Sequence, residues 1–522
     1  MIDPTSLVPL PVVLPLVGAG LAVVTGRWIK LQRLITALVT LASVLIAGFL
    51  MKVAASGQRL VLGVAGWLPT DGITLVVDRL SALMLLISSI VILTVMIYAI
   101  GEGRASDEHG DGGAPLPIFH PTLLVLAAGV STTFLSGDLF HIYVGFEMLL
   151  FASFVLLTIG ATQDRVRAGV NYVVVNLLSS SLFLLAIGLI YSATGTVNLA
   201  QLGQRLPELP AETQALLHGM LLVGFGIKAA IFPMSGWLPD SYPTAPAPVT
   251  AVFAGLLTKV GIYTIIRTQT LLFPSGPFND LLLWAALLTM LVGILGAIAQ
   301  DDIKRLLSFT LVSHIGYLVF GIAIGNDLGL SSGIFYAAHH ITVQTALFLV
   351  VGLIEMRGGS TSMQHLGGLL ELSPGLALLF FIPAINLAGV PPFSGFLGKV
   401  GLIRAGVLAD NQLGFLLITG SLVTSLLTLY AVSRVWSRVF LRSPRALVRI
   451  DREVIELTDE QAVKEINNRR PALGVSLPTA ALVAFSTAFT VVAGPLMHYT
   501  DEAALQLNDR AGYISSVVEE VR

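Results

Sequence analysis

The chain has 522 residues, of which 55% are hydrophobic and only 11% charged, where an ordinary soluble domain carries about 25% charged residues. It cannot cover a globular surface with polar groups, and its net charge of −2 argues against nucleic acid as a partner. Cysteine is absent, which excludes a disulfide framework, a thiolate metal site and a cysteine nucleophile.

The N-terminal run MIDPTSLVPLPVVLPLVGAGLAVV has no Lys or Arg ahead of it; Arg27, Lys30 and Arg33 follow it instead. A secretory signal needs a basic leading region, so the run predicts a first membrane helix with its N-terminus outside. A membrane span needs roughly 20 mainly apolar residues. That rule gives about fourteen spans, starting near positions 7, 33, 78, 122, 139, 169, 214, 246, 280, 304, 331, 375, 412 and 473. Only the short SGDLF turn divides the pair between 122 and 160; one span fewer would put the termini on opposite sides.

The distribution of Lys and Arg between connections sets orientation. With the N-terminus outside, the inside connections hold Arg27, Lys30, Arg33, Arg104, Arg165, Arg167, Lys304, Arg305, Arg357 and the basic segment 434–470. The outside ones hold only Lys52, Arg59, Arg79, Arg205, Arg267 and Arg404. The bias predicts both termini outside. Residues 102–117 (EGRASDEHGDGGAPLP) read as a mobile acidic loop. Within the longest soluble connection, 442–471, REVIELTDEQAVKEINNRR reads as a short surface helix. Neither piece is large enough for an enzymatic domain.

Two five-helix stretches resemble each other. The sixth span, NYVVVNLLSSSLFLLAIGLI, lines up with the eleventh, FYAAHHITVQTALFLVVGLI, pairing Tyr172 with Tyr336 and Gly188-Leu189-Ile190 with Gly352-Leu353-Ile354. The seventh span contains PMSGWL, with Pro233 and Gly236, and the twelfth contains PFSGFL, with Pro392 and Gly395. Proline deletes a backbone donor, and freed backbone groups at bilayer depth are tolerated only where protein or water satisfies them. Both spans are therefore expected to be broken helices. An odd number of spans per unit inverts the second unit, and such breaks line transport sites. The chain divides accordingly into 1–120, a first repeat at 121–270, a second at 280–441, a connection at 442–472 and a last helix with its tail at 473–522. The fold class is all-α and integral to the membrane.

Lys228, Lys259 and Lys399 sit inside otherwise apolar stretches, as does Glu147 in FHIYVGFEMLLFASF. A charge near the bilayer centre costs roughly 2.5–3.5 kcal/mol on insertion scales, so such residues face a bundle interior, pair, and mark ion or proton paths. A Glu147–Lys228 pair would tune the lysine's proton affinity, or lock two helices. Lysine suits a relay because its affinity moves readily when buried. His314, His339 and His340 add groups that titrate near neutrality. His340 falls centrally between the lysines, and His339 points to another face. The His-His pair has no carboxylate or third His at ligand spacing, so no metal is expected. No GxxxxGK[ST] loop or dinucleotide fingerprint is present, so no nucleotide cofactor is expected.

Residues 228–262 (KAAIFPMSGWLPDSYPTAPAPVTAVFAGLLTKVGI), 301–321 (DDIKRLLSFTLVSHIGYLVFG) and 388–399 (AGVPPFSGFLGK) resemble the hallmark of a known family. It is the antiporter-like subunit family shared by respiratory complex I and Mrp-type cation/proton antiporters. The resemblance runs at least from 120 to 440. It implies that Glu147, Lys228, Lys259 and Lys399 form a proton path. Family members often carry His-x-x-x-Lys in the eleventh span, whereas here His340 is followed by Gln344. A glutamine holds no transferable proton, so the middle of the path would rest on His340 and water.

Within the family the chain looks most like an Mrp-type subunit: DLFHIYVGFEMLLFASFVLLTIGA and the length match that branch, and a lysine rather than a glutamate in the twelfth span disfavours one of the complex I subunits. Membership implies a proton-translocating subunit of a multisubunit Na+/H+ antiporter in a bacterial plasma membrane. Its partners would be the other Mrp antiporter subunits (A, B, C, E, F and G), membrane lipids, H+ and Na+, with no cofactor and no enzymatic activity. The alternatives are a proton-pumping membrane subunit of a complex I-like oxidoreductase or membrane-bound hydrogenase, and a non-conducting scaffold. Asp138 and Asp240, at helix ends, read as caps.

Overall fold

The computed structural model describes residues 3–109, 117–160, 162–274, 276–450 and 453–518. After a 3-10 turn, helices α1 (Leu10–Val24) and α2 (Ile29–Ala55) present an outer face of exposed Val17, Val23, Leu34, Leu38 and Leu45, as helices against hydrocarbon do. Strands β1 (Leu60–Gly63) and β2 (Thr74–Val77) pair antiparallel as a hairpin. Helix α3 (Arg79–His109) then continues past the expected loop start. Residues 102–109 are thus helical, and the remainder of the expected acidic loop, 110–116, lies outside the described residues.

The first repeat holds α4 (Phe119–Leu135), α5 (Leu139–Thr158), α6 (Gln163–Thr194), the short α7 (Leu199–Arg205) and α8 (Ala211–Ala229). After a break come α9 (Trp237–Ser241), α10 (Ala247–Val252) and α11 (Thr258–Arg267). A π-helical turn, Phe253–Leu257, joins the last two, and a second, Thr268–Leu272, ends them. The second repeat holds α12 (Asn279–Ile298), α13 (Ile303–Ala323), α14 (Asp327–Gly358) and the short α15 (Leu369–Leu372). Helices α16 (Pro374–Ala388) and α17 (Ser394–Ala409) follow, then α18 (Gln412–Val435), which also ends in a π turn, Trp436–Leu441.

Eleven helices among the described residues are long and apolar enough to cross a membrane. The expected spans that do not qualify alone are α4, α8 and α16; α4 and α16 are short, and α8 carries Glu212, His218 and Lys228.

The two units share more than sequence. Asp138 caps α5 and Asp302 caps α13, each accepting from the backbone N–H three residues on. Asp138 bridges Asn198, and Asp302 bridges Ser362. Leu139 N–H donates to Val197 O as Ile303 N–H does to Thr361 O, and Leu199 N–H donates to Gly137 O as Met363 N–H does to Asp301 O. Each pair of equivalents is separated by the same chain length as Tyr172 and Tyr336.

The segment 442–471 departs from the single surface helix read from sequence. Strands β3 (Arg445–Ile450) and β4 (Glu453–Thr458) form a hairpin, and only α19 (Asp459–Asn468) is helical. β-Branched and alternating residues such as Ile455 and Leu457 favour the pleated surface, which outweighs the charge pattern of a helix. Helices α20 (Leu473–Val491), α21 (Ala493–Asn508) and α22 (Arg510–Val518) complete the chain. The spans Ala247–Leu272 and Asp327–Gly358 are buried throughout their most apolar stretch. These two helices form the middle of the protein, and they carry Lys259, His339 and His340.

Candidate functional site

Lys228, Lys259 and Lys399 each sit at or beside an irregular stretch of helix. Helix α8 stops one residue after Lys228, because Ala230 turns into the left-handed region (φ 57) and Ile231 N–H reaches back to Gly226 O. Lys228 Nζ donates to Asn176 Oδ1 on α6 at 3.2 Å and lies 5.4 Å from the centre of the Phe146 ring. Lys399, on α17, reaches back to the corresponding break. Helix α16 ends at Gly389 (φ 84), and Lys399 Nζ donates to the freed carbonyls of Leu387 at 3.2 Å and Ala388 at 2.9 Å. The same ammonium lies 4.9 Å from the centre of the Tyr317 ring. Cations at a helix C-terminus satisfy its orphan carbonyls and suit its dipole.

Lys259 needs no proline break. The π turn Phe253–Leu257 disrupts the regular ladder, and Lys259 Nζ donates to Ala254 O at 2.7 Å. π turns in helices often mark functional sites. Sequence reading missed this one, since nothing in VFAGLLTKVGIY other than Gly255 signals it. Gly255 packs so closely on α14 that a Cβ there would overlap Thr345 Oγ1. Gly261 abuts the end of α8, where a Cβ would lie 2.9 Å from Ala229 N. The helix of Lys259 is thereby wedged between the end of α8, next to Lys228, and the middle of α14.

Helix α14 carries the histidines on two faces. His340 stacks on His314 (centroids 5.2 Å apart), and both of its ring nitrogens are buried without a partner among the described residues. His314 Nδ1 shares a hydrogen bond with Tyr336 OH at 2.8 Å. His339 does face elsewhere, as expected, but that face is the second break: its Nδ1 shares a hydrogen bond with Ser394 Oγ at 3.0 Å. Gln344 Nε2 donates to Leu307 O at 2.8 Å, and its Oε1 is buried and unpartnered among the described residues. Thr258 Oγ1, His314 Nε2, His339 Nε2 and Asn386 Nδ2 share that condition. Buried polar atoms are normally hydrogen-bonded to protein or ordered water, so each of these unpaired donors and acceptors is a place for ordered water.

Glu147 is not in ion-pair contact with Lys228 among the described residues. It is half-buried on α5, and its Oε1 has no hydrogen-bond partner among them. Asn176 holds the lysine instead. Phe146, next to Glu147, packs in an aromatic cluster with Phe183 and Phe225 at 4.8–6.0 Å. Arg267, assigned from sequence to an outside connection, is buried and doubly paired with Asp78, with both N–O distances 2.5 Å. Asp138 is a cap. Asp240 is not; it pairs with Arg305 at 2.8 Å.

The glycines of the two Pro-x-Ser-Gly motifs are not equivalent. Gly236 is exposed with nothing near a Cβ position. Gly395 is buried; a Cβ there would overlap Asn386 O and lie 3.0 Å from the His339 ring. Pro233 and Pro392 lie in the non-helical stretches between the half-helices, each in a cis peptide bond.

Residues 136–428 match the family described as NADH:quinone oxidoreductase/Mrp antiporter, TM. The chain belongs to this family. The D-type Na(+)/H(+) antiporter subunit of Alkalihalophilus pseudofirmus is 36% identical over 99% of this chain and 100% of its own length. That of Bacillus subtilis is 32% identical over 99% of this chain and 100% of its own. Family members of this type are antiporter subunits rather than enzymes. The fold superposes on a chain of the Mrp complex from Dietzia sp. DQ12-45-1b with a TM-score of 0.89 and 33% identity, covering 99% of this chain and 100% of that one. A chain of an archaeal membrane-bound sulfane sulfur reductase has the same fold, with a TM-score of 0.85 at 24% identity. The protein is thus a multi-pass membrane protein of the antiporter-like family.

Proposed function

We propose that the chain is the D-type, proton-translocating subunit of a multisubunit monovalent cation (Na+)/H+ antiporter, working with other Mrp-type subunits in a bacterial plasma membrane. The whole-length likeness to D-type antiporter subunits supports the assignment. The observation that carries the mechanism is the way the lysines are held. Lys228, Lys259 and Lys399 are each bound by neutral oxygens of an amide or a backbone carbonyl, and none is paired with a carboxylate among the described residues. An ammonium held this way releases its proton without stranding a buried anion, and the oxygens remain to take the proton's next carrier, water.

In this reading Glu147 admits protons at the side of the first repeat, beside Lys228. Protons pass by Lys259 to Gln344 and His340, and on through His314 and Tyr336 to Lys399. His340 takes a proton on one ring nitrogen and releases another from the opposite one, while Gln344 organises water. Pro233 and Pro392 lie in the two breaks, with Gly236 and Gly395 beside them, and the repeats at 121–270 and 280–441 are two half-channels related by inversion. Sodium prefers hard oxygen ligands, which a lysine path does not concentrate, so the sodium site belongs to partner subunits.

The test is antiport in inverted membrane vesicles containing the assembled complex. Lys228→Ala should abolish sodium-driven proton movement while the protein still inserts at the normal level. A wild-type rate from that variant would overturn the assignment.

A further inference from the structure

The π turn at the end of α18 gathers arginines away from the relay. Trp436–Leu441 adds a residue to the turn, and beyond it a cleft of about 760 Å³ opens, lined by Asp301, Gln364, Arg438, Leu441, Arg442 and Arg445. Arg434 and Arg438 both reach Asp301 Oδ1 at 2.8 Å, and Arg445 reaches Glu456 at 3.3 Å. Arg442 is exposed and makes no ion pair or hydrogen bond among the described residues. Among the described residues that line the cleft, three arginines (Arg438, Arg442 and Arg445) face one carboxylate (Asp301), which leaves an excess of positive charge.

The same helix leads into this cleft with an apolar stripe. Leu422, Leu426 and Tyr430, spaced four apart on the outer face of α18, are each half or more exposed, as is Leu441 at the end of the π turn. Beside the arginines, Trp436 packs against Phe381 at 5.0 Å and Phe440 at 4.8 Å, an aromatic group of the kind found at headgroup level. These arginines also lie on the side that the Lys and Arg distribution assigns to the cytoplasm.

We propose that this cleft binds the phosphate headgroup of an anionic phospholipid, with the acyl chains along the α18 stripe. Guanidinium forks match phosphate oxygens in pairs, and basic pockets beside membrane helices on the cytoplasmic side take such headgroups. A free phosphate would leave the stripe unused. An acidic peptide from a partner would match the charge but not the acyl-facing leucines. The excess charge, the unpaired Arg442 and the exposed apolar residues of α18 together fit one amphiphilic ligand.

The test uses the purified full-length chain in detergent, titrated with dioleoylphosphatidylglycerol or dioleoylphosphatidylcholine and read by native mass spectrometry. The wild type should retain phosphatidylglycerol in preference to phosphatidylcholine, and millimolar inorganic phosphate should not displace it. Arg442→Gln, which breaks no contact, should weaken that retention about fivefold, the effect of one basic residue near an anionic lipid surface. Arg438→Gln/Arg442→Gln should weaken it further, and Arg442→Lys, which keeps the charge but not the fork, should fall between the wild type and Arg442→Gln. The proposal is overturned if the wild type shows no headgroup preference, if Arg442→Gln keeps the full preference, or if inorganic phosphate competes the lipid away.

Discussion

Two glycines that occupy the same place in a repeated motif should respond oppositely to one added methyl group. Gly236 has φ −62, and no atom lies within 4 Å of a Cβ position there. Gly236→Ala fits the backbone and restricts the unfolded chain, a gain of about 0.4–1 kcal/mol. Gly395 has no such room. Its Cβ would overlap Asn386 O and press on the His339 ring at 3.0 Å, and overpacking of this kind costs about 1–3 kcal/mol. The shift needed would also pull Gly395 N–H from Asn386 Oδ1, now 2.9 Å away, a further loss of about 1 kcal/mol. The two variants should therefore differ by about 2–5 kcal/mol, summing these terms. His339 shares a hydrogen bond with Ser394 at the same spot, so Gly395→Ala should depress antiport more than its stability loss explains. Thermal melts in detergent and vesicle antiport at matched expression read the two effects. Equal melting temperatures for both variants, or a wild-type antiport rate for Gly395→Ala, would refute the reasoning.

Gly389→Ala would place a Cβ 2.9 Å from Lys399 Cδ at a left-handed residue; it should cost about 1–2 kcal/mol in the melt and cut antiport sharply, because the flexible lysine yields and leaves its carbonyls. Asp78→Asn would strand the buried Arg267 guanidinium, which should destabilise by about 3–5 kcal/mol. Asp78→Leu/Arg267→Met should recover most of that loss on thermal melting. The Asp301 carboxyl is held below its ordinary value of 3.8 by the Gln364 hydrogen bond and then by Arg438 and Arg434. Its folded pKa is depressed, so its contribution is fully present above the unfolded value and disappears only as pH falls through the lower folded one. Hydrogen exchange of residues 434–445 should therefore be insensitive to pH between 5 and 8 in the wild type, after correction for the intrinsic chemical rate, and faster across that whole range in Asp301→Asn.

The breaks were legible in the chain because proline and glycine change what the backbone can do by themselves. PMSGWL and PFSGFL announce two interruptions in apolar runs, and α8 and α16 do end there. The lysines were legible for a similar reason: a cation in a hydrophobic stretch is costly unless it is used or satisfied. Even the repeat could be read, since Tyr172 and Tyr336 mark the spacing that the capping aspartates and their bridges follow.

What each lysine touches was not legible. Partner choice depends on which helices approach, and that is set by packing between residues far apart in sequence. Asn176 rather than Glu147 holds Lys228 because α6 brings its amide to the end of α8. The π turn beside Lys259 carries no proline, and its carbonyl becomes available only through the local winding of the helix. His339 reads as a bystander on a helical wheel, yet the second break folds Ser394 against it. Gly236 and Gly395 are the same letter in the same motif, and only the tertiary structure decides that one faces open space and the other a carbonyl and an imidazole. Sequence determined where the backbone must break and where charge must be buried, because those follow from local covalent chemistry and transfer cost. The fold decided which oxygen, ring or backbone group meets each of them, because that is a matter of close packing between segments the chain itself does not place side by side.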